Sequence, residues 1–149
     1  MHYFDTSFLV PLILPEATSD KITKFLVDLS AEDLAVSHWT RVEFSSLLAR
    51  EVRMGGLSAE AAREADVRFE AMVEESFAVI LPNGDDFNLA KEYLGNYESG
   101  LRAGDALHLA IAKNHRAEAI YSLDKTLLKA GKNIGIPVSL GIRLPSYGD

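Results

Sequence analysis

Short aromatic and aliphatic runs alternate with helical segments along almost the whole chain. Strands joined by crossovers of that kind pair in parallel within a doubly wound sheet. The strand candidates are His2–Phe4, Ala35–Ser37, Phe77–Leu81, Ala119–Ser122 and Pro137–Leu140. Helical candidates run roughly from Ser19 to Leu29, Arg41 to Met54, Ser58 to Glu75, Asp86 to Tyr97, Ala106 to Lys113 and Lys125 to Lys129. Pro11 and Pro15 are read as interrupting the helical turn after the first strand. Gly55-Gly56 reads as a helix stop and turn. Between Ser58 and Glu75, Ala62, Ala65, Phe69, Met72 and Val73 recur at helical spacing and make one apolar face. The expectation is an α/β protein, one domain over residues 1–149, with a central parallel sheet of about five strands flanked by helices.

A chain of 149 residues suits a single domain with its own core. There is no cysteine, which removes disulfides, zinc–thiolate sites and cysteine nucleophiles together. No apolar run approaches the roughly 18 residues needed to span a bilayer. The opening Met1-His2-Tyr3-Phe4-Asp5 has no basic, signal-like start, so the cytoplasm is the expected location. The net charge of −7 is the wrong sign for holding nucleic acid by phosphate neutralisation alone. A nucleic-acid ligand would therefore need positive charge from elsewhere, and bound divalent cations supply it locally.

In open parallel sheets, ligands sit beyond the carboxyl ends of the strands. Asp5 ends the first strand and Asp124 lies just past the fourth. Asp105 opens a helix, and Glu43 lies in the first turn of the helix after strand two. Each has a plain alternative. Thr40-Arg41-Val42-Glu43 matches a capping box, with Trp39 and Phe44 as its hydrophobic staple. Asp124 and Asp105 are natural N-caps. Asp5 is the most suggestive, because Thr6 or Ser7 could cap the next helix in its place. Taken together, four acids at one edge exceed what capping needs. A cluster of that kind is tolerated around a hard cation with oxygen ligands, Mg²⁺ or Mn²⁺.

The stretches Tyr3-Phe4-Asp5-Thr6-Ser7, Arg41-Val42-Glu43-Phe44, Gly104-Asp105-Ala106-Leu107-His108-Leu109-Ala110 and Ser122-Leu123-Asp124-Lys125 resemble the PIN-domain family, more narrowly the VapC-type toxin ribonucleases. The resemblance runs from Tyr3 to about Val138, and the Asp-Ala-Leu-His-Leu-Ala motif is its most specific part. Ser122 stands where the family often has Thr, and the hydroxyl is kept. The resemblance implies that Asp5, Glu43, Asp105 and Asp124 form a catalytic, metal-binding set for Mg²⁺ or Mn²⁺. It also implies an RNA substrate, a cognate antitoxin and a homodimer. The implied chemistry is phosphodiester hydrolysis leaving 5′-phosphate and 3′-hydroxyl ends.

Thr6, Ser7, Ser122 and Arg50 are candidates for contacting substrate, Arg50 because it shares a helix face with Glu43. His108, one turn after Asp105, is read as a packed histidine, and Trp39 as part of the staple rather than a stacking platform beside His38. Asp85 and Asp86 read as loop and helix cap. The hairpin of Arg41–Met54 with Ser58–Glu75 is expected to offer an apolar groove to an antitoxin helix. Two other acidic-pocket folds fit poorly. A response-regulator receiver needs paired acids after strand one and an Asp after strand three, where Pro82-Asn83-Gly84 stands. A haloacid-dehalogenase-type phosphatase needs Asp-x-Asp, and position 7 is Ser. A catalytically silent PIN-fold interaction module is the alternative of a different class.

Overall fold

The computed structural model describes residues 1–144, so the last five positions of the expected domain lie outside the described residues. Among these, β1 (His2–Phe4), β2 (Leu34–Ser37), β3 (Ala78–Ile80), β4 (Ala119–Tyr121) and β5 (Val138–Ser139) form one sheet in the order β3-β2-β1-β4-β5. Every neighbouring pair runs parallel. β1 matches its expected run and β2 begins one residue earlier, at Leu34, while β3, β4 and β5 are each shorter than expected. Successive strands step one way from β1 and then the other, so a topological switch falls between β1 and β4. A crevice opens at the carboxyl edge of such a switch.

Strand alternation divides the core in two. Tyr3 and Ile120 point to one face, against α5 (Gly84–Leu94), α6 (Ala103–Asn114) and α7 (Lys125–Asn133). Phe4 and Tyr121 point to the other face, against α1 (Thr6–Ile13), α2 (Ser19–Val27), α3 (His38–Arg53) and α4 (Ala59–Ser76). The apolar face of α4 docks on α3, where the Phe44 and Phe69 rings stack 4.1 Å apart. The seam between these two helices is filled by their own side chains. The hollow beside it is lined by His38, Arg41, Glu70, Val73, Glu74 and Val79, and Arg41 is ion-paired to Glu70 at 3.0 Å. No helix among the described residues is long and apolar enough to cross a membrane.

Two local expectations are corrected. Pro11 does not interrupt α1 but lies inside it. Burial of Phe8, Leu9, Val10 and Ile13 in the core holds the eight-residue helix together despite the missing N–H. Pro15 does end it, with Leu14 extended as a residue before proline prefers. The start of α3 is also displaced. Its N-cap is Ser37, and Thr40 sits at the third helical position, its hydroxyl accepting from Ser37 N–H at 3.2 Å. Glu43 is thereby released from the capping duty that its sequence neighbours suggested. Nor is there a staple, since Trp39 packs in the α6 cluster and Phe44 in the opposite one.

Candidate active site

β1 delivers Asp5 to the switch point. Asp5 continues the ladder, its N–H donating to Tyr121 carbonyl at 3.1 Å. That register sets Ser122 beside it, and the Ser122 hydroxyl donates to Asp5 Oδ2 at 2.5 Å. Asp5 Oδ1 accepts from Ser7 Oγ at 2.8 Å and from Phe8 N–H at 3.1 Å. Asp5 is thus the N-cap of α1, a duty that Thr6 or Ser7 could have taken in its place. Capping and site membership coexist because a carboxylate has lone pairs to spare. Burial pushes its carboxyl above the ordinary value, against the nearby His108 and the donors just named.

Glu43 reaches across from α3. Its Oε1 accepts from Thr6 Oγ1 at 2.6 Å and pairs with His108 Nε2. Burial alone would raise its pKa, but the bond and charge of His108, with help from Thr6 and Trp39, outweigh that and hold it low. Conversely, His108 is raised despite burial, by Glu43 first and then Asp5 and Asp105. His108 is packed, as expected, yet polar on both sides, because its Nδ1 lies 2.6 Å from the Tyr3 hydroxyl.

Asp105 lies in the first turn of α6, whose N-cap is Arg102, so it has no cap role. Asp124 is the N-cap of α7, accepting from Thr126 N–H at 2.8 Å and Leu127 N–H at 3.2 Å. Glu43, Asp105 and Asp124 line one open cleft of about 340 Å³, together with Trp39, Val42, Ser46, Arg102 and Gly104. The Asp105 carboxyl is pushed up to about 6, by burial and then by the charges of Asp124, Asp5 and Glu43. All four acids therefore share one electrostatic neighbourhood.

That neighbourhood suits a hard cation. Among the described residues no three carboxylate or histidine side chains already close on one point as a finished cage. Mg²⁺ does not require one, since it keeps several waters and takes one or two protein carboxylates. An all-oxygen donor set with accumulated negative charge fits Mg²⁺ or Mn²⁺. Glu43, Asp105 and Asp124 on the cleft wall, with Asp5 buried at the end of β1, are the residues that would hold it.

The remaining candidates divide. The hydroxyls of Thr6, Ser7 and Ser122 are turned onto the acids themselves, and Ser7 Oγ also accepts from Leu123 N–H at 3.0 Å. Arg50 is exposed on α3 and does not line the cleft, whereas Arg102 does. Neither Arg102 nor the Tyr3–His108 pair was singled out as functional from sequence. The Asp-Ala-Leu-His spacing, one turn of helix, was the available signal for His108. Nothing local marked Arg102.

A parallel sheet with carboxylates gathered at its switch point defines a recognisable class. The chain belongs to the PIN-domain family, whose model matches residues 2–133. No curated protein sequence matches it. Solved structures do. FitAcB from Neisseria gonorrhoeae superposes with a TM-score of 0.70 at 19% identity, covering 93% of this chain and 96% of that one. VapC20 from Mycobacterium tuberculosis, a toxin that cleaves the sarcin–ricin loop, gives 0.67 at 19% identity, covering 91% and 96%. A toxin–antitoxin complex from Klebsiella pneumoniae gives 0.63 at 20% identity, covering 97% and 100%. At these identities the likeness is one of fold.

Proposed function

We propose that this chain is an endoribonuclease dependent on Mg²⁺ or Mn²⁺, and the toxin of a toxin–antitoxin pair. The observation that carries the reading is the placement of Glu43, Asp105 and Asp124 on one cleft wall, with Asp5 buried at the end of β1, close enough for Asp105 to feel the other three. Capping accounts for Asp5 and Asp124 singly but not for gathering four acids at one sheet edge, and a cation would make them compatible. When bound there, a divalent ion would supply an activated water and a positive charge for the developing phosphoryl oxyanion. Asp5, Glu43, Asp105 and Asp124 hold and orient it. Thr6, Ser7 and Ser122 keep the carboxylates in place, and Arg102 on the cleft lip suits a backbone phosphate of the RNA. With net charge −7, the protein relies on such local positive charge to admit a polyanion.

Purified protein should cleave RNA with Mg²⁺ or Mn²⁺ and stop in EDTA, leaving 5′-phosphate and 3′-hydroxyl ends. Asp5→Asn and Asp105→Asn should each lose at least about a hundredfold in rate, the scale of removing one strong transition-state electrostatic contact. Undiminished cleavage in EDTA, or cyclic-phosphate products, would remove the metal mechanism. Failure to cleave with either cation would leave a PIN-fold interaction module. The partner reading draws on the toxin–antitoxin neighbour, and includes a homodimer. Co-expression with the product of an adjacent small reading frame tests it: the antitoxin should co-purify and suppress cleavage.

A further inference from the structure

Three buried polar groups run in line behind the cleft. Ser37 Oγ lies 2.9 Å from the Tyr3 hydroxyl, that hydroxyl lies 2.6 Å from His108 Nδ1, and His108 Nε2 meets Glu43 Oε1. All three are at most 1% exposed. Packing does not require this arrangement, because α6 is otherwise apolar here, with Leu107, Leu109, Ala110 and Ile111 buried on the same helix. A buried histidine with both nitrogens engaged is locked in orientation, and it locks what it touches. The Thr6 hydroxyl clamps the same Glu43 oxygen from the other side.

The second Glu43 oxygen is confined differently. A Cβ added to Gly104 would lie only 2.5 Å from Glu43 Oε2 and 3.4 Å from Trp39 Nε1, so the carboxylate sits tight against backbone that lacks a side chain. Trp39 Nε1 is buried there with no completed hydrogen bond. Glu43 is thus held through Oε1, while Oε2 lies against Gly104 and Trp39, and the residue lines the cleft.

We propose that His108, itself fixed by Tyr3, is the positioning residue for Glu43, setting how that carboxylate meets the cleft. The proposal rests on the cation-dependent reading of the site. Outer partners of this kind typically contribute about 10- to 100-fold in metal affinity or activity.

Isosteric logic supplies the test. In His108→Gln the side-chain amide nitrogen reaches the place of Nε2 and keeps a donor to Glu43. In His108→Asn the amide is one methylene short and loses it. Tyr3→Phe leaves the imidazole but removes its anchor. Trp39 is the sole tryptophan, so its emission reports on the Glu43 carboxylate beside it without any metal. Each folded variant is titrated with Mn²⁺ alone, by calorimetry and by Trp39 emission, and then assayed on RNA. His108→Asn should bind Mn²⁺ about tenfold or more weakly and shift the metal-free Trp39 emission, with the loss in kcat rather than in KM for RNA. His108→Gln should stay within about threefold of wild type, and Tyr3→Phe should fall between the two.

Equal losses in the Gln and Asn variants, or Mn²⁺ binding unchanged in His108→Asn, would overturn the positioning role. A wild type that neither binds Mn²⁺ nor cleaves would overturn the proposed function. The metal-free Trp39 emission separates the two failures. If it shifts in His108→Asn alone while wild type is inert to Mn²⁺, the metal reading is at fault rather than the contact.

Discussion

Asp105 is where the acid cluster first becomes measurable without any ligand. Its carboxyl titrates at about 6, raised by burial and by Asp124, Asp5 and Glu43. An unfolded Asp titrates near ~3.9, so the native state holds the extra proton between these values. Stability linked to that proton is fully present below about pH 4 and is lost as pH rises through about 6. Above that, the native protein carries a repelled charge. Asp105→Asn removes it, and because the side chain is partly solvated we expect a gain of about 1 kcal/mol in the metal-free protein at pH 7. The gain should shrink towards zero as pH falls to about 4. Urea unfolding of both proteins across this range is the measurement, and a gap that does not change with pH would mean Asp105 is not repelled by its neighbours.

Among the elements, α5 and α6 are fastened by a carboxylate that the site does not use. Asp86 is fully buried in the first turn of α5. It accepts from Asn83 N–H at 3.0 Å, from Asn114 Nδ2 at 2.9 Å and from His115 Nε2 at 3.1 Å, so it caps its own helix and ties down the end of α6. The sequence reading of Asp86 as a helix cap captured only the first of these duties. Removing the carboxylate strands several donors, so Asp86→Ala should cost about 3 kcal/mol. Urea unfolding reads that loss as a lower midpoint at constant m. RNA cleavage should be unchanged at temperatures where the variant is folded, because the opening turn of α6, not its end, carries Asp105. A variant of wild-type stability would show that the tie contributes nothing.

Across the whole molecule, an acidic protein with four of its carboxylates gathered at one sheet edge should respond to divalent cations there as a unit. Mn²⁺ binding only the native state stabilises it by RT ln(1 + [L]/Kd), about 2.7 kcal/mol when Mn²⁺ is roughly a hundred times Kd. Thermal melting in EDTA and in millimolar Mn²⁺ should therefore show a clear upward shift for wild type and a much smaller one for Asp105→Asn. Metal-free Asp105→Asn should at the same time melt above metal-free wild type. If Mn²⁺ moves neither protein and the substitution does not raise the metal-free midpoint, the four acids do not act as one site.

The alternation of apolar runs with helical periodicity was enough to read a parallel α/β sheet, because burying both faces of a strand and one face of a helix leaves a repeating trace in the chain. That Asp5, Glu43, Asp105 and Asp124 lie near one another was legible in the same way, from where acids fall relative to strand ends and helix starts, together with the family motif around Asp105. Local pattern misled where two neighbouring signals competed. Ser37 and Thr40 both suit an N-cap, and the cap formed at Ser37, which freed Glu43. Pro11 was read as a break, and core burial overrode it. What no local pattern held was the wiring between distant segments: Tyr3 and His108 are 105 residues apart, and Glu43 and His108 are 65 apart. Those contacts exist only because β1, α3 and α6 converge at the switch point of the sheet. The chain itself determines which residues are acidic, apolar or capping. Which of them meet, and what each meeting does to charge and orientation, is decided by tertiary packing, since Coulomb and hydrogen-bond energies depend on distance in space and not along the chain.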